Sequence, residues 1–230
     1  MGYDEYTYHP SGLRGGLFPM DVLLVTALLF VWNLAVIHVI SRRIYRYVTR
    51  FDGVPAEYVG RKVVHVLNGG VTALVIPVCY EGYYWLVMVS AFLLAGYLYW
   101  RRKRRRMYWF QVPQNAYEVH FALSYGIVLM IGVLLGDVWI GLIPMLFMSF
   151  GDSATGLIRA VTQRRQVKSW DGTVAMFVVC STIGYWRLGG YGVFVGAIAS
   201  LVEKIPKLDD NITVPIVTAA CVYLERLVLP

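Results

Sequence analysis

Long apolar stretches recur along the chain, and short polar or charged segments separate them. The three clearest stretches occupy residues 20–41, 82–100 and 116–136. Each approaches the roughly 20 apolar residues that a helix needs to cross a bilayer. Weaker or shorter stretches continue the pattern at 63–80, 137–150, 172–188, 190–203 and 212–229. The pattern predicts an all-α, polytopic transmembrane bundle of about eight spans, with seven as the alternative.

The basic residues favour one orientation of this bundle. With eight spans and the N-terminus outside, the 21 basic residues fall in loops on one side, except for Arg14, Arg187 and Arg226. Cytoplasmic loops carry an excess of Lys and Arg, so that side is predicted to be cytoplasmic. Seven spans would break this alternation. We therefore expect a short extracytoplasmic tail at 1–19 and one multi-pass membrane domain at 20–230.

The composition agrees with a membrane protein. The chain is 58% hydrophobic and 15% charged, with a mean hydropathy of +0.57, whereas about a quarter of the residues in a soluble domain are charged. The first 19 residues lack the features of a secretory signal peptide, so the first apolar stretch is expected to remain as an anchor. The expected location is the cell membrane in a prokaryote or the endoplasmic reticulum in a eukaryote.

A net charge of +7 and the run RRKRRR at 101–106 raise the question of a nucleic-acid partner. The run closes an apolar span and is followed by Tyr108 and Trp109, which is typical of a cytoplasmic membrane anchor. Anionic lipid head groups are the expected partners of such a run, and nucleic acid is not. The cysteines at 79, 180 and 221 have no paired spacing, so they are interpreted as packing residues.

A polar stripe marks the stretch RKVVHVLNGGVT, which begins at Arg61. Spacings of 4, 3 and 4 place four residues on one helical face: Arg61, His65, Asn68 and Thr72. Lipid cannot satisfy such a stripe, so it is predicted to face the bundle interior. An interhelical hydrogen-bond network is the alternative reading for His65 and Asn68. Arg61 and Lys62, expected at the start of the helix, suit a polyphosphate because the helix dipole favours anions there.

A second polar group begins with FGDSATG at 150–156, which is expected to be a helix end on the cytoplasmic side. Asp152, Gly156 and Arg159 recur there at helical spacing. Further on, Lys168 and Asp171 precede a new apolar helix that starts near Gly172 and Thr173. Ser169 or Asp171 could simply be the N-cap of that helix.

A third polar group is EKIPKLDDNITVPI at 203–216. Asn211 could cap the last helix, with Asp209 and Asp210 just outside it. Mg²⁺ is bound in proteins by one or two carboxylates together with substrate phosphates, and this pair offers such ligands. Glu118 and His120 open the fourth span, where they could support the same site or extend to the interface.

Common nucleotide-binding and hydrolytic motifs do not occur in the sequence. It contains no GxxxxGK[ST], HExxH, CxxC or GxSxG pattern, which argues against ordinary soluble nucleotide-binding folds. The glycine-rich stretch GGYGVFVG at 189–196 lies in an apolar region and is predicted to serve close helix packing.

Four stretches, in their order along the chain, resemble motifs of the polyprenol kinase family. They are RKVVH at 61–65, GDSATG at 151–156, KSWDGTVAMF at 168–177, and Glu203 with DDNITVPI at 209–216. That family includes dolichol kinases, phytol kinases and CTP-dependent diacylglycerol kinases. The chain departs from the family pattern at Asp171, where Glu is usual, and in the less glycine-rich stretch before it.

The resemblance implies an integral membrane enzyme that transfers the γ-phosphoryl group of CTP to the hydroxyl of a long-chain isoprenoid alcohol, with Mg²⁺ or another divalent cation. It implies catalytic roles for Arg61, Lys62, Asp152 and Glu203, and metal binding by Asp152, Asp209 and Asp210. The expected nucleotide- or phosphate-binding residues are Arg61, Lys62, His65, Gly151, Ser153, Arg159, Lys168, Ser169, Asp171, Gly172 and Asn211. Independently of the resemblance, four residues are expected to contact the substrate or to support the site: Asn68, Glu118, His120 and Thr173.

Two other functions remain open at this level. A cytidylyltransferase that makes a CDP-activated lipid would use the same donor, metal and membrane face. A transporter would place ionisable residues near the bilayer midplane, whereas here they gather at one predicted surface. The choice of base for the lipid hydroxyl is open between Asp152 and Glu203.

Overall fold

The computed structural model describes residues 19–165, 167–206 and 208–228. Within these ranges the protein is all-helical, which confirms the all-α part of the predicted fold class. Apart from Pro19, the predicted tail at 1–19 lies outside the described residues.

The described part of the chain contains seven continuous helical stretches, and one of them reverses direction to give eight helical segments. Their bounds, in chain order, are as follows: α1, Pro19–Ala35, a π-helical turn at Val36–Ile40, and Ser41–Val48; α2, Ala56–Val64, a π-helical turn at His65–Gly70, and Val71–Cys79; α3, Tyr84–Arg104; α4, Tyr117–Leu134; α5, Trp139–Leu146, a π-helical turn at Phe147–Gly151, and Asp152–Thr162; α6 and α7, the two arms 170–188 and 190–204 of Trp170–Lys204; and α8, Asp210–Val228.

The reversal between α6 and α7 lies at Gly189, where φ is 57° and ψ is −141°. A positive φ is accessible to glycine without the steric cost that other residues meet. The two arms then pack backbone to backbone, because a Cβ added at Gly184 would collide with Gly192, and one added at Gly196 would collide with Ser181. The predicted boundary between 172–188 and 190–203 is confirmed, as is the close packing of the glycine-rich stretch.

Five helices are long and apolar enough to cross a membrane, namely α1, α2, α4, α5 and α8. Large apolar side chains are exposed on the outside of the bundle, such as Leu28 and Val31 on α1 and Leu93 on α3. A soluble monomer rarely exposes apolar surface on this scale. The structure therefore indicates a membrane protein, and the crossing of all eight segments stays a prediction.

Contacts between side chains place parts of α2, α4, α5 and α8 together at one end of the bundle. Lys62, near the start of α2, meets Asp152 in the second half of α5, and His120, near the start of α4, meets Asp209, just before α8. We call this the site end of the bundle. At the opposite end, Arg226 of α8 pairs with Asp137, which precedes α5, with 2.8 Å between Nε and Oδ2.

Two helix boundaries differ from the sequence expectation in a way that moves the site. The helix α2 begins at Ala56, so Arg61 and Lys62 lie in its second turn and are buried. The helix α5 continues to Thr162, so the prediction of a helix end at 150–156 is wrong. Glycines made the segment look like a loop, but they serve close packing: Gly151 faces Cys180 and Gly156 leaves room for the stem of Lys62.

Candidate functional site

The centre of the site end is a buried ion pair between α2 and α5. Lys62 Nζ donates to Asp152 Oδ2 at 2.6 Å, and both side chains are almost fully buried. Gly156, one turn after Asp152 on α5, has no side chain to obstruct the Lys62 methylenes. Ser153 Oγ donates to the Lys62 carbonyl at 3.2 Å and ties the two helices together. A pair this deeply buried is strongly destabilised when one partner is removed.

π-helical turns position two of the central side chains. The turn His65–Gly70 starts at His65, and the turn Phe147–Gly151 ends just before Asp152. Such bulges are frequent at functional sites because they shift the phase of the residues that follow. His65 Nδ1 lies 3.2 Å from Asp152 Oδ2, outside hydrogen-bonding geometry, and its ring stacks on Phe121 at 4.0 Å between centroids.

A second ion-pair network lies beside the first and joins four segments. Arg159 of α5 makes a two-pronged bond to Glu203 of α7, with Nη1 to Oε1 at 2.7 Å and Nη2 to Oε2 at 3.0 Å. Lys168, in the linker after α5, donates to Glu203 Oε1 and to Asp210 Oδ2, both at 2.8 Å. Planar two-pronged pairs of this kind are the strongest charge-assisted hydrogen bonds in proteins.

Lys168 and Asp210 form the outer edge of this network. Their side chains are 28% and 20% exposed, whereas those of Arg159 and Glu203 are buried. Burial alone would lower the pKa of the Lys168 ammonium, but the carboxylates of Asp210 and Glu203 outweigh it and raise that pKa above its ordinary value. Lys168 is therefore charged at neutral pH, and this edge is the part of the site closest to water.

Three carboxylates converge between the two networks. Asp152, Glu203 and Asp210 each offer an oxygen, and these oxygens lie within 4.8 Å of one another. Oxygen donors at this spacing fit a hard divalent cation such as Mg²⁺. The hydrogen bonds of Asp152 and Asp210 found among the described residues go through their Oδ2 atoms.

Of the three predicted metal ligands, Asp209 lies outside the group of converging carboxylates, and Glu203 takes the third place. Its Oδ1 accepts from the backbone and side-chain nitrogens of Asn211 at 3.1 and 3.2 Å, which caps α8. Its Oδ2 pairs with His120 Nδ1 at 2.5 Å. The cap of α8 is thus Asp209 rather than Asn211, and Asp210 begins the helix instead of preceding it.

Arg61 points away from the carboxylates, although it neighbours Lys62 in sequence. Its guanidinium lies 4.4 Å from the ring centroid of Tyr117 and 5.1 Å from that of Tyr58. Cations held over aromatic faces in this way gain about 1 kcal/mol or more when desolvated. In the described part of the chain its buried Nε and Nη1 atoms have no hydrogen-bond partner.

Glu118 is buried in a network of its own. Its Oε1 accepts from Gln111 Nε2 at 2.9 Å and from Arg102 Nη1 at 3.1 Å. Arg102, a member of the basic run at 101–106, is therefore engaged inside the protein, while residues 103–106 are exposed. Only those outer residues are available to anionic head groups, which stay a predicted partner.

The remaining predicted residues divide between the network and the surface. Ser169 and Thr173 contact Arg159, since Nη2 donates to the Ser169 carbonyl at 3.0 Å and lies 3.5 Å from Thr173 Oγ1. Gly172 faces the Arg159 stem, where a Cβ would collide. Asp171, by contrast, lies at the surface, where it accepts from Thr162 and Gln163. The structure therefore places Asp171 apart from the carboxylate group.

Two neighbouring cavities lie beside the site and share lining residues. The larger, about 90 Å³, is mostly apolar and lies among α1–α4. The smaller, about 20 Å³, lies next to it and is bordered by Arg61, His65 and Glu118. Asn68 and Phe121 line both cavities.

Sequence reasoning missed the aromatic residues that surround Arg61 and His65. Tyr58, Tyr117 and Phe121 read as ordinary apolar positions of membrane helices, because their role depends on which helices become neighbours. The only local signal was their placement within a turn of Arg61 or Glu118.

Comparisons with protein-family models, with curated proteins and with solved structures found no match for this chain. The functional assignment therefore depends on the residues and geometry described above.

Proposed function

We propose that the protein is a membrane-embedded kinase that transfers the γ-phosphoryl group of CTP to the hydroxyl of a long-chain isoprenoid alcohol. The observation that carries the proposal is the position of Asp152 between a partly exposed ion pair and a residue that borders a cavity. Toward water lie Lys168 and Asp210, which are partly exposed. Toward the membrane lies His65, 3.2 Å from Asp152 and on the border of a cavity between helices.

The charges around Asp152 suit a metal-bound triphosphate better than a bare metal ion. Lys62, Arg159 and Lys168 already compensate the three carboxylates. A free divalent ion would add two uncompensated positive charges in a poorly solvated place, and the phosphate oxygens of a bound triphosphate would offset them. Phosphoryl transfer is promoted mainly by this kind of positioning and charge neutralisation.

In this proposal Lys62 and Lys168 bind the phosphate oxygens from two sides, and Arg159 holds Glu203 in place. A divalent cation bound by Asp152, Asp210 and Glu203 would supply neutralisation of the charge on the transferred group. The alcohol oxygen forms a bond to the γ-phosphorus as the bond from that phosphorus to the β-phosphate oxygen breaks. The nucleoside diphosphate leaves with the electron pair, and the hydroxyl proton passes to a base at the Asp152–His65 pair.

The test uses the purified full chain in lipid nanodiscs, with Mg²⁺, a panel of isoprenoid alcohols and CTP labelled in the α- or the γ-phosphate. Label in the lipid from the γ position supports the kinase. Label from the α position would instead identify cytidylyl transfer, and no label from either position with any alcohol would overturn the proposal.

Asp152→Asn is the informative variant, because Asn keeps the size of the side chain and removes its charge. We expect transfer of γ-label to fall at least about 100-fold, which corresponds to roughly 2.7 kcal/mol in the barrier. Asp137→Asn, at the opposite end, is the matched control. Size-exclusion profiles and thermal transitions of both variants separate loss of catalysis from loss of folding.

A further inference from the structure

Tyr58, in the first turn of α2, is a buried residue of the site end to which the proposed reaction gives no role. Arg61 and Lys62 follow it by three and four positions, so the three side chains are neighbours on one face of the helix. The Arg61 guanidinium and the Lys62 ammonium each lie 5.1 Å from the centroid of the Tyr58 ring. Cations at this distance are attracted to an aromatic face, so the ring is held beside both of them.

The neighbours of Lys62 show where this ring lies in the site. Lys62 Nζ donates to Asp152 Oδ2 at 2.6 Å, so the ring is adjacent to the buried ion pair. The carboxylates of Asp152 and Asp210 are close enough for their charges to act on the Tyr58 hydroxyl. The guanidinium of Arg159 acts on it as well. The hydroxyl is therefore within reach of both ion-pair networks, beside the converging carboxylates.

The Tyr58 hydroxyl has no hydrogen-bond partner among the described residues. The neighbouring carboxylates bond to ammonium groups instead, Asp152 to Lys62 and Asp210 to Lys168. A buried phenol usually has a hydrogen-bond partner, because an unmet donor is costly. The hydroxyl is not among the fully enclosed polar atoms of the site, and Tyr58 retains 6% exposure. A donor that is unbonded and can still be reached is available to a group that enters the site.

The charges around the hydroxyl decide which kind of group it suits. Lys62 and Lys168 attract an oxyanion into the space beside the carboxylates. Each oxygen of a phosphate has several lone pairs, so an oxygen that one ammonium group binds can accept from a further donor. A neutral O–H supplies that donor without adding another positive charge, and hydrogen bonds to an anionic oxygen are the stronger kind.

We propose that the Tyr58 hydroxyl is a phosphate-binding group of this site and donates to a phosphate oxygen of the bound triphosphate. This inference rests on the proposed function and adds a neutral donor to the cations Lys62 and Lys168. The Tyr58 ring has the separate role of contacting Arg61 and Lys62. Because Tyr58→Phe removes the hydroxyl and keeps the ring, it separates the two roles.

The first experiment measures the binding of inorganic triphosphate with Mg²⁺ to the full chain in lipid nanodiscs, without a lipid alcohol. This probe carries the phosphate oxygens and no base, so the result is independent of the choice of nucleotide and of phosphoryl transfer. We expect Tyr58→Phe to bind it at least about 10-fold more weakly than wild type, as for the loss of a hydrogen bond to a charged group. A smaller change in a folded Tyr58→Phe protein would overturn the proposal.

Tyr45→Phe is the matched control. Tyr45 lies in the last part of α1, its ring packs on Tyr108, and its hydroxyl also lacks a hydrogen-bond partner among the described residues. The carboxylate that acts on it is that of Glu57, which is not one of the converging carboxylates. We expect triphosphate binding to change less than about 2-fold, because this position is separate from the site. Equal losses in the two variants would overturn the proposal.

Unfolding by SDS titration tests for a merely structural role of the hydroxyl. Because it has no partner in the described part of the chain, its removal should leave the stability of the ligand-free protein unchanged or slightly raised. Triphosphate should stabilise Tyr58→Phe less than wild type, since ligand binding to the folded state sets that stabilisation. A ligand-free Tyr58→Phe protein that is less stable than wild type would show that the hydroxyl serves the fold, and would overturn the proposal.

These outcomes separate the inference from the proposed function. A protein that binds triphosphate through Tyr58 but transfers no γ-label keeps this contact and loses the kinase. A protein that binds triphosphate and transfers γ-label equally well in wild type and Tyr58→Phe keeps the kinase and loses this contact. A wild-type protein that binds no triphosphate would overturn both.

Discussion

Arginine–carboxylate pairs stand at both ends of the bundle, and they differ in their surroundings. At the site end, Arg159 and Glu203 are buried and joined by two hydrogen bonds of 2.7 and 3.0 Å. At the opposite end, Arg226 is 49% exposed and contacts Asp137 once, at 2.8 Å. Solvent screens the second pair, which is worth about 0–1 kcal/mol. The first pair is shielded from solvent, so the loss in the free energy of unfolding when one of its charges is removed measures how much the site end depends on that pair.

The largest expected difference comes from removing one carboxylate charge at each end. Glu203→Gln leaves Arg159 and Lys168 short of a counter-charge in a buried place, and we expect a loss of about 3–5 kcal/mol in the free energy of unfolding. Asp137→Asn should cost less than about 1 kcal/mol. Asparagine at 137 also keeps the oxygen that accepts from the Trp139 backbone nitrogen. Unfolding by SDS titration in mixed micelles measures both values.

Equal losses from these two variants would contradict the comparison. Such a result would mean that the site-end network is open to water or that the Asp137–Arg226 pair is more buried than its exposure indicates.

A smaller loss of stability is expected from disturbing the hairpin of α6 and α7, whose turn lies toward the opposite end of the bundle. Gly192→Ala places a methyl group against the Gly184 backbone, and we expect a loss of about 1–3 kcal/mol from overpacking. Gly190→Ala is the control, since nothing lies within 4 Å of the added Cβ. It should be neutral or slightly stabilising because Ala favours helices. Thermal transitions of the two proteins in the same detergent give the comparison, and similar losses would argue against backbone contact between α6 and α7.

The smallest expected effect separates two adjacent carboxylates at the site end. Asp209→Ala removes the cap of α8 and should lower the free energy of unfolding by about 1 kcal/mol. Asp210→Ala should instead raise the Mg²⁺ concentration for half-maximal activity at least 10-fold. Activity measured against Mg²⁺ concentration, together with an SDS titration, distinguishes them. If Asp209→Ala raised the Mg²⁺ requirement as much, the originally predicted metal set would regain support.

Most of the fold could be predicted because it follows from local composition. The apolar stretches, the boundary at Gly189 and the buried stripe of Arg61, His65 and Asn68 are visible in the sequence and confirmed by the structure. The continuation of α5 through Asp152 was not predictable in this way. Glycine and polar residues ordinarily indicate a loop, and their helical state here depends on the contacts with Lys62 and Cys180 that only the folded bundle supplies.

The residues of the candidate site could be predicted from the sequence, but which of them pair with one another could not. Lys62, Asp152, Arg159, Lys168, Glu203 and Asp210 were all singled out from the sequence, and the structure brings them together. Asp209 and Asp210 could not be told apart, because one residue along a helix start turns a side chain by about 100° at 3.6 residues per turn. Arg61 and Lys62 diverge for the same reason, one toward Tyr117 and the other toward Asp152.

The position of Asp152 along α5 has a consequence for the reach of a water-soluble donor. At 1.5 Å per residue, Asp152 lies roughly 15 Å along the axis from the end of that helix at Thr162. Water comes much closer than that from the side, because the partly exposed Asp210 offers an oxygen within 4.8 Å of one from Asp152. In the proposed kinase the donor therefore inserts only its terminal phosphates beside Lys168 and Asp210, and the lipid hydroxyl meets them without being drawn out of the bilayer.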